Sequence, residues 1–258
     1  IWSLSDHSQT PVASRYIMGL DGSIKLVDSK QITLPNGMFD SSSYLYNGQG
    51  DQNYLGYPLS VGNSGINLID ENYIIRSFQH FDSGASSNLG LFYHVNGGFV
   101  YFASYTAGGV VFSRGNISNG VVDAISGAGI SASNGPQFVG VVGSTVAIGY
   151  ASAAHGGQNW VDFFDTSTLG IVSSVSLSSL FPALDTNAQF ITEFSGGKMY
   201  SGQNSGVGAR YSLDEYNSTP VFIGDFGTEF SPASGNYQYR FHALGGTYTQ
   251  WLSYYLTA

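Results

Sequence analysis

An all-β fold built from repeated four-stranded antiparallel units is predicted by three features of the sequence. Residues 137–177 break into four strand-sized apolar or alternating runs, QFVGVV, TVAIGYAS, NWVDFFDTS and GIVSSVSL. They are divided by Gly143-Ser144, by His155-Gly156-Gly157 and by residues 166–169; runs of that length between turn residues read as strands. Four strands in about 40 residues leave links too short for parallel crossovers, so each must pair with its sequence neighbour. Composition agrees: 35 Gly against only 8 Lys plus Arg suits many tight turns and few cationic helix faces. The third feature is recurrence of the same pattern along the chain.

The copies can be taken in order. Near the N-terminus, RYIMGL and SIKLVDSKQITL, within residues 15–34, read as two strands without partners beside them in sequence. Residues 40–82 form a poorer copy of the unit, SSSYLYNGQG, NYLGYPLSV, GINLID and NYIIRSFQHFD. Residues 87–129 repeat it clearly as NLGLFYHVNGG, FVYFASYTAGG, VVFSRGNISNG and VVDAISGAG. The unit described first occupies 134–179, and 187–227 gives NAQFITEFSGG, KMYSGQNSGVG, ARYSLDEYNS and TPVFIGDFG. Residues 236–258 hold only YQYRFHALGG and TYTQWLSYYL, so the N-terminal pair is expected to complete the last unit and close a seam that would otherwise be unpaired. The first hairpin turn of successive units falls at Gly97-Gly98, Gly143-Ser144, Gly196-Gly197 and Gly245-Gly246. That is a period of about 50 residues and about five units in the chain.

The run Trp160-Val161-Asp162-Phe163-Phe164-Asp165-Thr166-Ser167-Thr168-Leu169, followed by Gly170-Ile171-Val172, resembles the short blades of β-propeller repeat proteins of the VIDT/YVTN type. The resemblance implies a β-propeller, here of five four-stranded blades in one domain over residues 1–258. It carries little about function, and WD and kelch signatures are absent from the sequence.

Charge and composition narrow the function classes. A net charge of −9 disfavours nucleic acid and anionic membrane surfaces as partners, since both need clustered cations. No apolar run reaches the roughly eighteen residues of a membrane-spanning helix, so membrane insertion is not expected. With no Cys, thiolate catalysis and Cys-ligated metal are excluded. Ile1 in place of Met leads to the expectation that this N-terminus arises by processing or by excision from a longer chain.

In a propeller the starts of the innermost strands converge on one face, the usual ligand site. The residues there are Asp40, Asn88, Asn134, Asn187 and Asn236, and His155 joins them from 151–158, which with 203–208 is one of the two longest and most Gly-rich loops between second and third strands. Two readings of the Asn series stand: Asx turns at strand starts, or a ring of amides offered to a polar ligand. Glycoside hydrolysis would need paired carboxylates; Asp40, Glu193, Asp82 and Asp185 are the positions to consider, but the Asp-Pro start of known five-bladed hydrolases is missing. Asp165 before Thr-Ser-Thr reads as a turn opener, and Asp162, three residues earlier, points to the other face of its strand. His7, His80, His94, His155 and His242 lack zinc spacing, so no metal, cofactor or catalytic residue is assigned. The expectation is a non-catalytic binding or assembly module, extracellular or on a virion surface. It would recognise a neutral glycan or a protein surface, alone or with other subunits of a larger assembly; a five-bladed glycan-acting enzyme is the alternative.

Overall fold

The computed structural model describes residues 2–4, 10–18, 23–33, 47–50, 53–58, 65–79, 89–106, 109–125, 136–181, 190–203, 209–225, 241–243 and 251–253. The chain divides into two compact units, Ile1–Ile130 and Ser131–Ala258. Both are mostly β, built of antiparallel sheets whose strands follow one another in sequence, the short parallel strand β4 beside β8 excepted.

In the first unit, β1 (Trp2–Leu4), β2 (Val12–Met18) and β3 (Ile24–Gln31) form a three-stranded sheet. The short strand β4 (Asn47–Gly50) precedes a second sheet of β5 (Leu55–Pro58), β6 (Gly65–Ile69) and β7 (Ile75–Gln79). A third contains β8 (Leu89–Asn96), β9 (Phe99–Thr106), β10 (Gly109–Asn116) and β11 (Val121–Ile125). The sequence places β4 as the first strand of the unit it shares with β5–β7. It instead lies parallel against the free edge of β8, with Asn47 opposite Phe92 and Gly50 opposite Val95. The edge of β8 away from β9 is the one β4 takes.

Sheets stack through close contacts at glycine. Gly56 donates its N–H to Tyr93 Oη at 2.7 Å, and a Cβ at Gly56 would sit 2.6 Å from that ring. Gly115 admits Phe78 in the same way, at 2.2 Å. These meetings close a core of Ile66, Leu68, Phe78, Tyr93, Val95, Val100 and Phe102 between the β5–β7 and β8–β11 sheets. On the other side of β5–β7, Ile69 packs with Ala13 and Ile32.

The second unit contains the predicted pattern in its most complete form. β12 (Pro136–Val142), β13 (Thr145–Ser152), β14 (Gln158–Asp165) and β15 (Ile171–Ser176) pair in order, as do β16 (Phe190–Ser195), β17 (Lys198–Gln203), β18 (Ala209–Leu213) and β19 (Val221–Asp225). One helical turn, α1 (Leu177–Leu180), follows β15, capped by Ser176 Oγ accepting from Ser179 N–H. β20 (Phe241–Ala243) and β21 (Trp251–Ser253) form a separate hairpin. Phe138, Phe163, Phe181, Phe194, Met199 and Leu213 fill the core between the two four-stranded sheets. Gly140 provides the close approach here, with its Cβ position 2.0 Å from the Phe194 ring.

The first hairpins at Gly97-Gly98, Gly143-Ser144 and Gly196-Gly197 close on the predicted glycines, and Gly245-Gly246 lie outside the described residues. Gly97 and Gly98 have φ of 59° and 81°, and Gly196 and Gly197 have 59° and 74°, the left-handed pair that a two-residue turn requires. A second recurrence lies in the outer hairpins. The register shifts by one residue between β10 and β11 at Arg114/Gly115, between β14 and β15 at Phe163/Phe164, and between β18 and β19 at Arg210/Tyr211. The pair β2–β3 shifts likewise at Arg15/Tyr16. A bulge bends and twists an outer strand, which protects its open edge from pairing with other chains. Each of these last strands also begins near an exposed β-branched residue: Ile24 (57% exposed), Val121 (55%), Ile171 (59%) and Val221 (54%), with Ile74 (51%) just before β7. By both marks β2–β3 has the character of an outer hairpin.

Candidate functional site

The β13–β15 face of the second unit brings polar and aromatic groups together. Strand pairing sets Tyr150 opposite Trp160, and Asp162 opposite Ser174. Period-two alternation then puts Tyr150, Trp160, Asp162 and Ser174 on one face, while Val161 and Phe163 enter the apolar core on the other. Asp162 is buried, 3% exposed, and fully engaged: Tyr150 Oη donates to Oδ2 at 3.0 Å and Ser174 Oγ to Oδ1 at 2.5 Å. Trp160 Nε1 in turn donates to Ser174 Oγ at 2.7 Å. Burial raises the Asp162 carboxyl above its ordinary pKa, while the hydrogen bonds from Ser174 and Tyr150 and the nearby His155 act against it. Burial beside that carboxylate also pushes the Tyr150 phenol up.

The chain leaves β13 through a single 3-10 turn, Ala153–His155, and returns to β14 through Gly156 and Gly157, at φ of 68° and 82°. Gly157 N–H donates to Ser152 O at 2.8 Å and closes the loop. The turn lays the exposed His155 imidazole flat on the Trp160 indole, centroids 3.7 Å apart and planes 3° from parallel. At the same end of the sheet, Gln137 Nε2 donates to Asn159 Oδ1 at 3.0 Å. The result is an aromatic stack with Gln158 on its own face of the strand, while Asn159 alternates to the other face, and the stack is anchored through exposed Ser174 to buried Asp162 and Tyr150.

Of the ligand residues expected from sequence, His155 is thus placed at this site. Asp40, Asn88, Asn134, Asn187 and Asn236 lie outside the described residues, as do Asp82, Asp185, His7 and His80. Glu193 lies in β16 opposite Tyr200, and His242 in β20 opposite Leu252. His94 is buried, and burial lowers its pKa to about 4, so it is a neutral core residue at physiological pH. Asp165 has the turn role expected of it, its Oδ1 accepting from Ser167 N, Thr168 N and Thr168 Oγ at 2.8–3.1 Å. Sequence reasoning leaves Trp160, Ser174 and Tyr150 unassigned and gives Asp162 no role. The available signal was a carboxylate between Val161 and Phe163 in an otherwise apolar strand, where an acid needs a hydrogen-bonding partner to be buried.

A second polar cluster sits in the first unit. Arg15 grips Asp28 through Nε at 2.8 Å and through a short second contact, and Tyr73 Oη donates to Asp28 Oδ1 at 2.5 Å. The Arg15 guanidinium lies over both Trp2 and Tyr73, at 5.6 and 5.9 Å. The Arg15 and Tyr73 bonds hold the Asp28 carboxyl down at about 2. Tyr73 reaches this position from a left-handed backbone, φ 63°, unusual for an aromatic residue. Every group is satisfied within the cluster, which joins the N-terminal sheet to the β6–β7 turn. Its chemistry is that of a structural clasp.

Among the described residues no three His, Asp or Glu side chains are placed to hold a metal ion, and no helix is long and apolar enough to cross a membrane. No protein-family model and no curated protein matches the sequence. Solved structures similar to the chain include Kuenenia stuttgartiensis hydrazine synthase, with a TM-score of 0.47 and 10% identity over 83% of this chain and 62% of that one. The dihydro-heme d1 dehydrogenase NirN in complex with DHE gives 0.47 and 14% over 83% and 42%. A Bacteroides uniformis protein assigned as a 6-phosphogluconolactonase gives 0.47 and 12% over 92% and 70%. The chain therefore spans less than two thirds of the first two proteins. Likeness at this level identifies neither family nor activity.

Proposed function

We propose that this chain is a β-propeller binding module of five blades, the last completed by the N-terminal strands, acting at a virion or bacterial cell surface on a neutral glycan or a protein partner. The observation that carries the binding reading is the β13–β14 loop site, where exposed His155 stacks on half-buried Trp160 and the exposed Gln158 carboxamide lies on the same face of the strand. Flat aromatic surface with amide donors and acceptors suits a hydroxyl-rich or mixed polar surface, and a net charge of −9 suits a ligand that is not a polyanion. The reading of β2–β3 as an outer hairpin draws support from the register shift it shares with the last pairs of the other sheets, with β1 on the other edge of β2.

Catalysis is not part of this reading. The acid at the site, Asp162, is buried beneath Trp160 and Ser174 with both oxygens bonded, whereas glycoside hydrolysis uses two carboxyl groups facing the scissile bond. The test is a glycan and cell-surface protein array with the intact chain, followed by a reducing-sugar assay on every glycan bound. Binding without sugar release, unchanged in Asp40→Asn and Glu193→Gln, is the expected result. Turnover lost in Asp40→Asn, Glu193→Gln or Asp162→Asn would make the protein a glycan-acting enzyme.

A further inference from the structure

Trp160 and His155 are held in different ways. The indole is fixed at both ends: its backbone pairs with β13 and β15, and its Nε1 is tied to Ser174, which is tied to buried Asp162. His155 is carried by an exposed turn ending in two left-handed glycines, and no atom lies within 4 Å of the position a Cβ would take at either. A ring fixed in the sheet is therefore covered by a ring carried on an exposed turn. The covering ring lies parallel to the indole at van der Waals distance, the place that the apolar face of a flat ligand would take. Around it the sheet presents Gln158 and Ser174 on the Trp160 face.

Resting on the binding reading above, we propose that Trp160 is the stacking platform for one pyranose ring of a neutral glycan, and that His155 is an internal occupant of that platform which the sugar displaces by swinging the 153–157 turn outward. The sugar's C–H face packs on the indole while its hydroxyls meet the Gln158 amide on the same face. The glycan must thus compete with an intramolecular stack. Such a stack lowers the apparent affinity by the fraction of time the platform is covered, and it screens the site from weak apolar ligands. Specificity would follow, since a ring that cannot also bond the Gln158 amide gains too little to lift His155 away.

The test is calorimetric titration of the intact chain with the strongest neutral oligosaccharide from an array, comparing wild type, His155→Ala, Trp160→Leu and Trp160→Phe. Emission from Trp160 in a Trp2→Phe/Trp251→Phe background reports whether the imidazole leaves the indole. Uncovering the platform in His155→Ala should tighten binding about three- to tenfold, the range expected for one lost aromatic stack. Trp160→Leu should weaken binding at least tenfold and Trp160→Phe less, and Trp160 emission should move toward that of His155→Ala as sugar is added. The Phe variant and the emission change stand if the Leu variant fails to fold. Weaker binding in His155→Ala would make His155 part of the contact surface and overturn displacement while leaving the module reading intact. Binding indifferent to Trp160 would move the site elsewhere and sink this proposal alone. Absence of any neutral glycan bound by either wild type or His155→Ala would overturn both this proposal and the glycan branch of the module reading.

Discussion

Asp162 and Asp165 stand three residues apart on one strand and do opposite work. Asp165 caps a turn at the surface and is legible from the Asp-Thr-Ser-Thr that follows it, because Asx turns are local. Asp162 is buried by groups that arrive from β13 and β15, so only pairing register reveals its role. Replacing it with Asn keeps the shape but removes an acceptor from either Tyr150 or Ser174, and should cost about 1–3 kcal/mol in chemical denaturation. Ser174→Ala should weaken the hold on Trp160 and broaden its emission at lower cost. Asp28 makes a pH prediction. Its folded pKa, about 2, lies below the ordinary 3.8, so the clasp contributes stability that is complete above pH ~4 and fades as pH falls from 3.8 toward 2. Urea midpoints of wild type and Asp28→Asn should differ at neutral pH and converge across that window. A gap that persists below pH 2 would mean that the carboxylate charge is not what the clasp uses.

At the scale of elements, the hairpins were largely readable and their partners less so. The runs at 137–177 become β12–β15 almost residue for residue, with Ser176 and Leu177 ending the last strand in a helical turn instead of extending it. Gly97-Gly98 and Gly196-Gly197 were legible as turns because only glycine enters a left-handed pair freely. Gly140 was not: it lies inside a strand, and its reason is a phenyl ring from β16. The two kinds of glycine should therefore respond differently. Gly140→Ala drives a methyl into the Phe194 ring and should cost about 1–3 kcal/mol or more as the sheets part. Gly97→Ala meets no atom within 4 Å and should cost only backbone strain, about 1–2 kcal/mol; comparing thermal midpoints of the two variants, alone and with Phe194→Ala, checks this. Relief of the Gly140→Ala penalty by Phe194→Ala, with none for Gly97→Ala, is the expected pattern. The displaced β4 and the outer-hairpin bulges escaped sequence reasoning for a common reason: a parallel edge contact and an extra residue on one strand leave no trace in a period-two pattern.

For the whole molecule, composition was informative about what to exclude and silent about the ligand. A chain of −9 with few cations points away from polyanions, and binding at the Trp160 site should accordingly change little between low and physiological ionic strength, because neither stacking nor amide hydrogen bonds are strongly screened. His155 was legible as the titratable residue in one of the two long Gly-rich loops between second and third strands, but its partner Trp160 emerges only when the loop closes on β14. The measurement that bears most directly on the function proposed here is a 19F NMR titration of protein carrying 5-fluorotryptophan with a neutral oligosaccharide chosen by array. Assignment by Trp160→Phe separates that signal from those of Trp2 and Trp251. The account predicts that the Trp160 resonance shifts on saturation, equally at low and physiological salt, and that no sugar is released. A glycan that binds while the Trp160 resonance stays still, or that is cleaved, would contradict it.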